Sequence, residues 1–297
     1  MEVLLLRLDA PLMSFGGVMV DQHGPTERFP GLSLLAGLFA NALGFHHGDA
    51  DKLEALQARI EYAARWDVAP KPLLDYHTVD LGQPKMCEPG WTTRGEPEHR
   101  EGGTAKFGTH IRYRHYWANG VMTLAVVLNA NAAEIVPPPH GGRLGGGRSK
   151  IGEAYDLTRP HPNPPPWGEG TSEPNSTALQ VGERGNDEAD SPNLRQLAQA
   201  LNEPARPLFI GRKTCLPSTP LLLGLIEAED VMGALRKTPP ARRNGQTPPD
   251  KLEACWPVRL GLSEHSREVA VYDRRDWRNQ IHAGRRLCVE GVVEWTA

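Results

Sequence analysis

From Gly102 to Ala133 the chain contains no Asp or Glu, although acidic residues outnumber basic ones overall, 36 to 33. Inside that window sit Lys106, His110, Arg112, Tyr113, Arg114, His115, Tyr116 and Trp117. Cations interleaved with aromatic rings suit a single strand of RNA. Charged groups meet phosphates while rings stack on splayed bases, each stack contributing about 1–3 kcal/mol. If residues 111–117 are extended, Arg112, Arg114 and Tyr116 share one face, and Tyr113, His115 and Trp117 share the other. One face can then grip backbone and the other can wedge between bases. An edge strand with solvated arginines and a core Tyr113 and Trp117 fits the same residues.

A second acid-free window, Pro204 to Ile226, carries Arg206, Gly211, Arg212 and Lys213. A glycine ahead of two cations lets a loop bring backbone N–H groups close to a phosphate. A plain helix-to-strand turn has the same composition. Arg28 precedes a predicted helix, where a loop and a helix N-terminus can receive an anion, with Glu27 opposing it. Near the C-terminus Arg274, Arg275, Arg278, Arg285 and Arg286 cluster, but Asp273 and Asp276 interrupt them, which suits protein contact or solvation.

Such groups need elements to position them. The run Val3 to Leu8 reads as a buried strand ended by the turn Asp9-Ala10-Pro11. Ser33 is the expected cap of a helix through Gly44, whose small residues let it lie close to a sheet. A short helix over Asp51 to Gln57 leads into an alternation: Ile60, Tyr62, Ala64, Trp66 and Val68 against Arg59, Glu61, Arg65 and Asp67. This predicts a half-buried strand. Strands are expected at Val121 to Leu128 and Pro220 to Ile226, with a helix at Leu194 to Leu201 between them. Strand, helix, strand, strand, helix, strand is the ferredoxin-like order also used by RNA-recognition modules. The aromatic signature of the standard RNA-recognition motif is missing.

The expected organisation is α+β. Residues 1–136 form the first half of a ferredoxin-like core and include a long excursion over about 69–120. Residues 193–229 supply its second half, and 230–297 a smaller β-rich lobe with strands near Ala254 to Leu262, Glu268 to Tyr272 and Leu287 to Trp295. Between the halves, 20 of the 56 residues in 137–192 are Pro or Gly. That composition predicts a disordered or extended insertion, because little apolar surface is available to offset ordering entropy. Its Arg143, Arg148 and Lys150 fit a solvated tether better than an RNA contact.

A formal charge of −3 over 297 residues excludes a protein that coats nucleic acid indiscriminately, so any RNA site is local. Neither a signal peptide nor a membrane-spanning segment is expected. Cys87, Cys215, Cys255 and Cys288 are too far apart for a metal or redox motif and suit a reducing cytoplasm. His46 and His47 lack a third ligand at zinc-finger spacing, so no metal or other cofactor is expected.

Four stretches carry a family resemblance: Val3 to Gly16 (VLLLRLDAPLMSFG), Gly24 to Phe45 (GPTERFPGLSLLAGLFANALGF), Leu74 to Gly82 (LDYHTVDLG) and Arg206 to Gly224 (RPLFIGRKTCLPSTPLLLG). In order and content the chain resembles the CasD family, the family-five Cas subunits of type I-E CRISPR surveillance complexes (Cascade), within the RAMP superfamily. The resemblance implies that 69–120 forms a β-hairpin thumb, that Tyr76 and His77 line its base, and that the Gly211 loop faces CRISPR RNA. It implies a non-catalytic subunit holding the 5′ handle of that RNA, beside the backbone and large subunits of the complex. Relatives in another subtype cleave precursor RNA without metal. His115 with Tyr113, Tyr76 or His77 supplies groups for that alternative, and a scaffold with little RNA contact is a third reading.

Overall fold

The computed structural model describes residues 1–17, 19, 22–80, 90–91, 97–98, 109–129, 191–243 and 248–295. Lys106 and nearly all of the Pro/Gly-rich stretch 137–192 lie outside the described residues. The chain divides into two compact units, Met1–Thr78 with Ile111–Val136 and Asp187–Ala297, and Val79–His110 with Pro137–Asn186. In the second unit the short strands β6 (Gly90–Trp91) and β7 (Pro97–Glu98) pair antiparallel.

The first unit is an α+β structure around a seven-stranded sheet. Its strands are β1 (Glu2–Asp9), β4 (Ile60–Val68), β9 (Val121–Leu128), β10 (Leu222–Glu227), β11 (Lys251–Pro257), β12 (Arg267–Val271) and β15 (Arg286–Glu294). They lie in the order β10-β1-β9-β4-β11-β15-β12. Every neighbouring pair is antiparallel. The three strands expected in a C-terminal lobe therefore extend the same sheet, joined to it where β11 meets β4 at Ala254↔Arg65 and Cys255↔Ala64. A short hairpin of β13 (Arg275–Asp276) and β14 (Ile281–His282) lies between β12 and β15 in sequence.

Period-two alternation sends the central strands' side chains to two separate cores. On one face Leu4, Leu6, Leu8, Tyr62, Ala64, Trp66, Met122, Leu124 and Val126 pack in one cluster with residues of α1 (Leu32–Leu43), α2 (Ala50–Arg59) and α3 (Leu194–Asn202). On the other, Val3, Leu5, Ala63, Ala125, Val127, Trp256, Val289 and Val293 pack with Val231, Met232, Ala234 and Leu235 of α4 (Val231–Lys237). This second layer corrects the half-buried expectation for β4. Arg65 and Asp67 share a face as expected, but α4 and the segment after it cover that face, and both are buried.

Burial of two charges in that layer requires full pairing. Arg65 donates from Nε to Asp67 Oδ1 (2.8 Å), from Nη1 to Leu235 O (2.7 Å) and from Nη2 to Thr238 O (3.0 Å). Asp67 Oδ2 accepts from Thr123 Oγ1 (2.6 Å) and from the Ala241 N–H (2.8 Å). The network ties the end of α4 to the middle of the sheet.

α1 begins two residues earlier than expected, and Ser33 does not cap it. The N-cap is Gly31, and Asp273, far along the chain, supplies the acceptors: Oδ2 for Leu32 N–H (3.0 Å) and its carbonyl for Ser33 N–H (2.9 Å). Gly44 ends the helix at φ 81°, and its N–H and that of Phe45 turn back to Ala40 O, as a left-handed cap does. α3 carries its own capping box between Asn193 and Gln196.

Cys215, Cys255 and Cys288 are buried free thiols. Burial raises the pKa of Cys255 and pushes that of Cys288 up to about 11, from an ordinary 9.0. The unfolded chain therefore releases these protons first. Stability attributable to the two thiols is complete below pH 9 and is lost as pH rises from 9 toward 11. The urea midpoint is expected to fall between pH 8.5 and 10.5, and to fall less steeply in a Cys255→Ala, Cys288→Ala protein.

Candidate nucleic-acid interface

Two ten-residue strands, β5 (Lys71–Asp80) and β8 (Thr109–Ala118), pair with each other. At about 3.3 Å per residue each spans about 33 Å. β8 is also held by β2 (Leu12–Met13), with Leu12↔Ala118 and Met13↔Trp117, and by β3 (His23–Gly24), with His23↔Tyr113 and Gly24↔Arg114. Asn119 takes φ 58° and turns the chain from β8 into β9.

The cation and ring residues of β8 divide into an open set and a seated set. Arg112 is exposed, while Tyr113, Arg114 and His115 are half-buried. The Tyr113 ring lies flat against His23, with centroids 4.8 Å apart and an interplanar angle of 9°, and 5.4 Å from the ring of Tyr76, itself 54% exposed. Three rings from three strands thus form one cluster. Tyr116 is buried. Trp117 donates from Nε1 to Glu27 O (2.7 Å) and stacks under Arg28, 4.8 Å from its centroid. The expectation that Trp117 wedges between bases gives way to a structural role, because its N–H and one ring face are already occupied.

The predicted cations behave likewise. Arg28 pairs through Nε and Nη2 with the Glu253 carboxylate and lies over both Trp66 and Trp117, so it locks β11 to the loop before α1. Arg206 donates to Phe45 O (2.7 Å) and Gly44 O (3.1 Å), satisfying carbonyls just past α1. Arg212 donates to His115 O (3.0 Å) and Gly24 O (2.9 Å) and covers the Tyr116 ring at 4.7 Å, stapling β8 to β3. Lys213, the next residue, is exposed. His77 pairs through Nε2 with Asp75 Oδ2, two residues back on the same strand. The structure therefore brings Tyr76, Tyr113, Arg112 and Arg114 to one strand pair and holds the half-buried Arg28, Arg206 and Arg212 in contacts within the chain.

Two features escaped the sequence reading. His23 gave no signal, because a lone histidine beside a glycine has no periodicity to read. Arg286, dismissed as part of a basic group, is half-buried and donates from Nε to Asp273 Oδ2 (2.9 Å) and from Nη2 to the Tyr62 hydroxyl (2.8 Å). Burial works to lower its pKa, yet Tyr62 and Asp273 raise it above the ordinary value. Burial also raises Tyr62 well above the phenol range. Only the interruption of the basic run by Asp273 hinted at this pairing.

Among the described residues no three His, Cys, Asp or Glu side chains gather as a metal site, and no helix is long and apolar enough to cross a membrane. A family model described as CRISPR-associated protein (Cas_Cas5) matches residues 3–141 and 177–289, most of the chain. A chain from a CRISPR RNA-guided surveillance complex superposes with a TM-score of 0.59 at 20% identity, covering 99% of this chain and 91% of that one. A crystal structure of a Cas protein gives 0.50 at 21% identity, covering 98% and 95%. At such identities the likeness is one of fold.

The chain belongs to the Cas5 family of CRISPR-associated proteins. The Cascade subunit CasD of Escherichia coli (strain K12) is 30% identical over 141 residues, 45% of this chain and 56% of that protein, so the alignment spans little more than half the length of this curated relative.

Proposed function

We propose that the chain is the non-catalytic subunit that holds the 5′ handle of CRISPR RNA in a Cascade-type surveillance complex, beside the backbone and large subunits. The observation that carries this reading is the ring cluster of His23, Tyr76 and Tyr113, with Arg112 and Arg114 on the same strand as Tyr113. Family membership supports it, as does the known role of aromatic platforms and cations in gripping single-stranded RNA. We read β10-β1-β9-β4, with α1 and α3 in the crossovers, as the ferredoxin-like core. The β5–β8 pair is then the base of the thumb and Lys213 a cation at its side.

The test is fluorescence anisotropy with handle RNA across a salt series. Four to six phosphate contacts give log affinity against log salt a slope of about −3 to −4. Arg112→Ala with Arg114→Ala is expected to weaken binding at least about tenfold and to make the slope shallower by about 1.4, the increment for two lost contacts. A slope near zero in the native protein contradicts the reading and favours a scaffold. The Asp75–His77 pair favours a second reading, metal-independent cleavage, since a carboxylate orients an imidazole for base catalysis. Incubation with repeat RNA in a chelator distinguishes the two: the holding subunit leaves the RNA intact, and the enzyme yields cyclic-phosphate ends.

A further inference from the structure

Of the strands that carry the ring cluster, β3 has the least to hold it. It is two residues long and lies parallel to β8, so its ladder is short: the Tyr113 N–H donates to Gln22 O (2.8 Å), and His23↔Tyr113 and Gly24↔Arg114 make up the pairing. Parallel pairing is also the less stable kind per residue. Yet the exposed His23 keeps its ring flat against Tyr113, which requires a tie from outside the ladder.

Arg212 supplies that tie. Its Nη1 donates to His115 O of β8 and its Nη2 to Gly24 O of β3, so one planar fork joins the two strands beside the ring pair. The guanidinium also rests on the buried Tyr116 of β8. The arginine is mounted on fixed backbone. Ser14 N–H donates to Ile210 O, Ile210 N–H to Cys215 O (2.8 Å) and Cys215 N–H to Arg212 O (2.8 Å), with Ile210 and Cys215 fully buried. Gly24 completes the fit. A Cβ there falls 2.8 Å from Arg212 Nη2, while the next atom, Tyr113 O, is 3.5 Å away. The Gly24 backbone lies outside the left-handed region, so conformation does not demand glycine at this position. The arginine does.

We propose that Arg212, seated against Gly24, is a positioning residue that fixes β3 on β8 and so stacks His23 on Tyr113 before RNA arrives. It acts through those rings and not on a phosphate. Rings set in advance spare the ordering cost at the moment of binding. The inference rests on the holding function proposed above and gives the cation of the Gly211 loop a different part in it.

The experiment follows the ring protons of isotope-labelled histidine in the full chain, with His23 assigned through His23→Gln, beside handle-RNA affinity across a salt series. In native protein the Tyr113 ring current displaces the His23 signal upfield. Arg212→Gln and Gly24→Ala are each expected to abolish that displacement and to weaken handle RNA about tenfold, the lower range for one lost stack. The double variant is expected to bind no more weakly than either single one, because both break the same contact. Gly24→Ala keeps every charge and meets only the tip of a flexible side chain, so it reads that contact even where Arg212→Gln fails to fold. The salt slope of Arg212→Gln is expected to match native protein, whereas a lost phosphate contact makes it shallower by about 0.7. A general loss of stability moves the urea midpoint but not the His23 signal of the folded state. An unmoved His23 signal in either folded variant, or the shallower slope, overturns the proposal while leaving the holding function standing. Failure of native protein to bind any handle RNA overturns the holding function, and the histidine signal still decides whether Arg212 sets the stack.

Discussion

Asp67→Ala is expected to lower the folding stability by about 3–5 kcal/mol, the range for removing one member of a buried ion pair. The reason lies in what remains. Arg65 is fully buried, and Asp67 is the carboxylate that meets its Nε. Thr123 and the Ala241 N–H lose their acceptor in the same step. Against a typical total of about 5–15 kcal/mol, such a loss lowers the urea midpoint by about a fifth or more. Asp67→Asn keeps an oxygen acceptor but not the charge, so an intermediate shift is expected. Arg65→Met with Asp67→Leu removes both charges and is expected to recover most of the stability. An unfolding free energy for Asp67→Ala within about 1 kcal/mol of native protein contradicts the account of this network.

Gly211→Ala is expected to unseat the loop that carries Arg212 and Lys213. A Cβ at Gly211 falls 1.6 Å from Ser14 O and 2.7 Å from Ser14 C, both backbone atoms, and φ is +95°. No rotamer change relieves a clash with backbone, so the loop or the strand end must move. Ser14 N–H donates to Ile210 O (3.2 Å) at the same contact, and Arg212 next door staples β8 to β3. Handle affinity is expected to fall at least about tenfold, with a destabilisation of about 1–3 kcal/mol from the unfavourable backbone alone. Gly48→Ala, where a Cβ meets nothing within 4 Å, is the control and is expected to change neither quantity. Native-like affinity in Gly211→Ala removes the loop from the interface.

The contrast at Gly211 shows where sequence reasoning reaches and where it stops. A glycine ahead of two cations predicted a close backbone approach, and the approach exists, but its partner is Ser14 rather than a phosphate. The strand at Val121–Leu128 was legible to the residue because a run of seven apolar residues broken only by the β-favouring Thr123, bounded by Gly120 and Asn129, leaves little alternative. The C-terminal strands were legible as strands but not as extensions of the same sheet, since pairing of β11 with β4 joins residues about 190 positions apart and local pattern carries no such information. α4 was missed because its apolar face spans barely two turns. Arg28, Arg206 and Arg212 looked alike as free cations. Only the carbonyls, the Glu253 carboxylate and the rings brought to them by distant segments decide that they are fasteners, whereas Arg112 is exposed and remains available.

Asp273 reaches back across 241 residues to cap α1, and this sets a clock on biosynthesis. At about 5–20 residues per second a ribosome needs about 12–48 s to deliver that carboxylate after Leu32 has been made. Over nearly the whole interval the nascent chain holds a helix with an open amino end and a β4 whose far edge awaits β11. Such an edge invites pairing with another chain, so the half-built sheet is the stage at which this polypeptide most needs a chaperone's shelter.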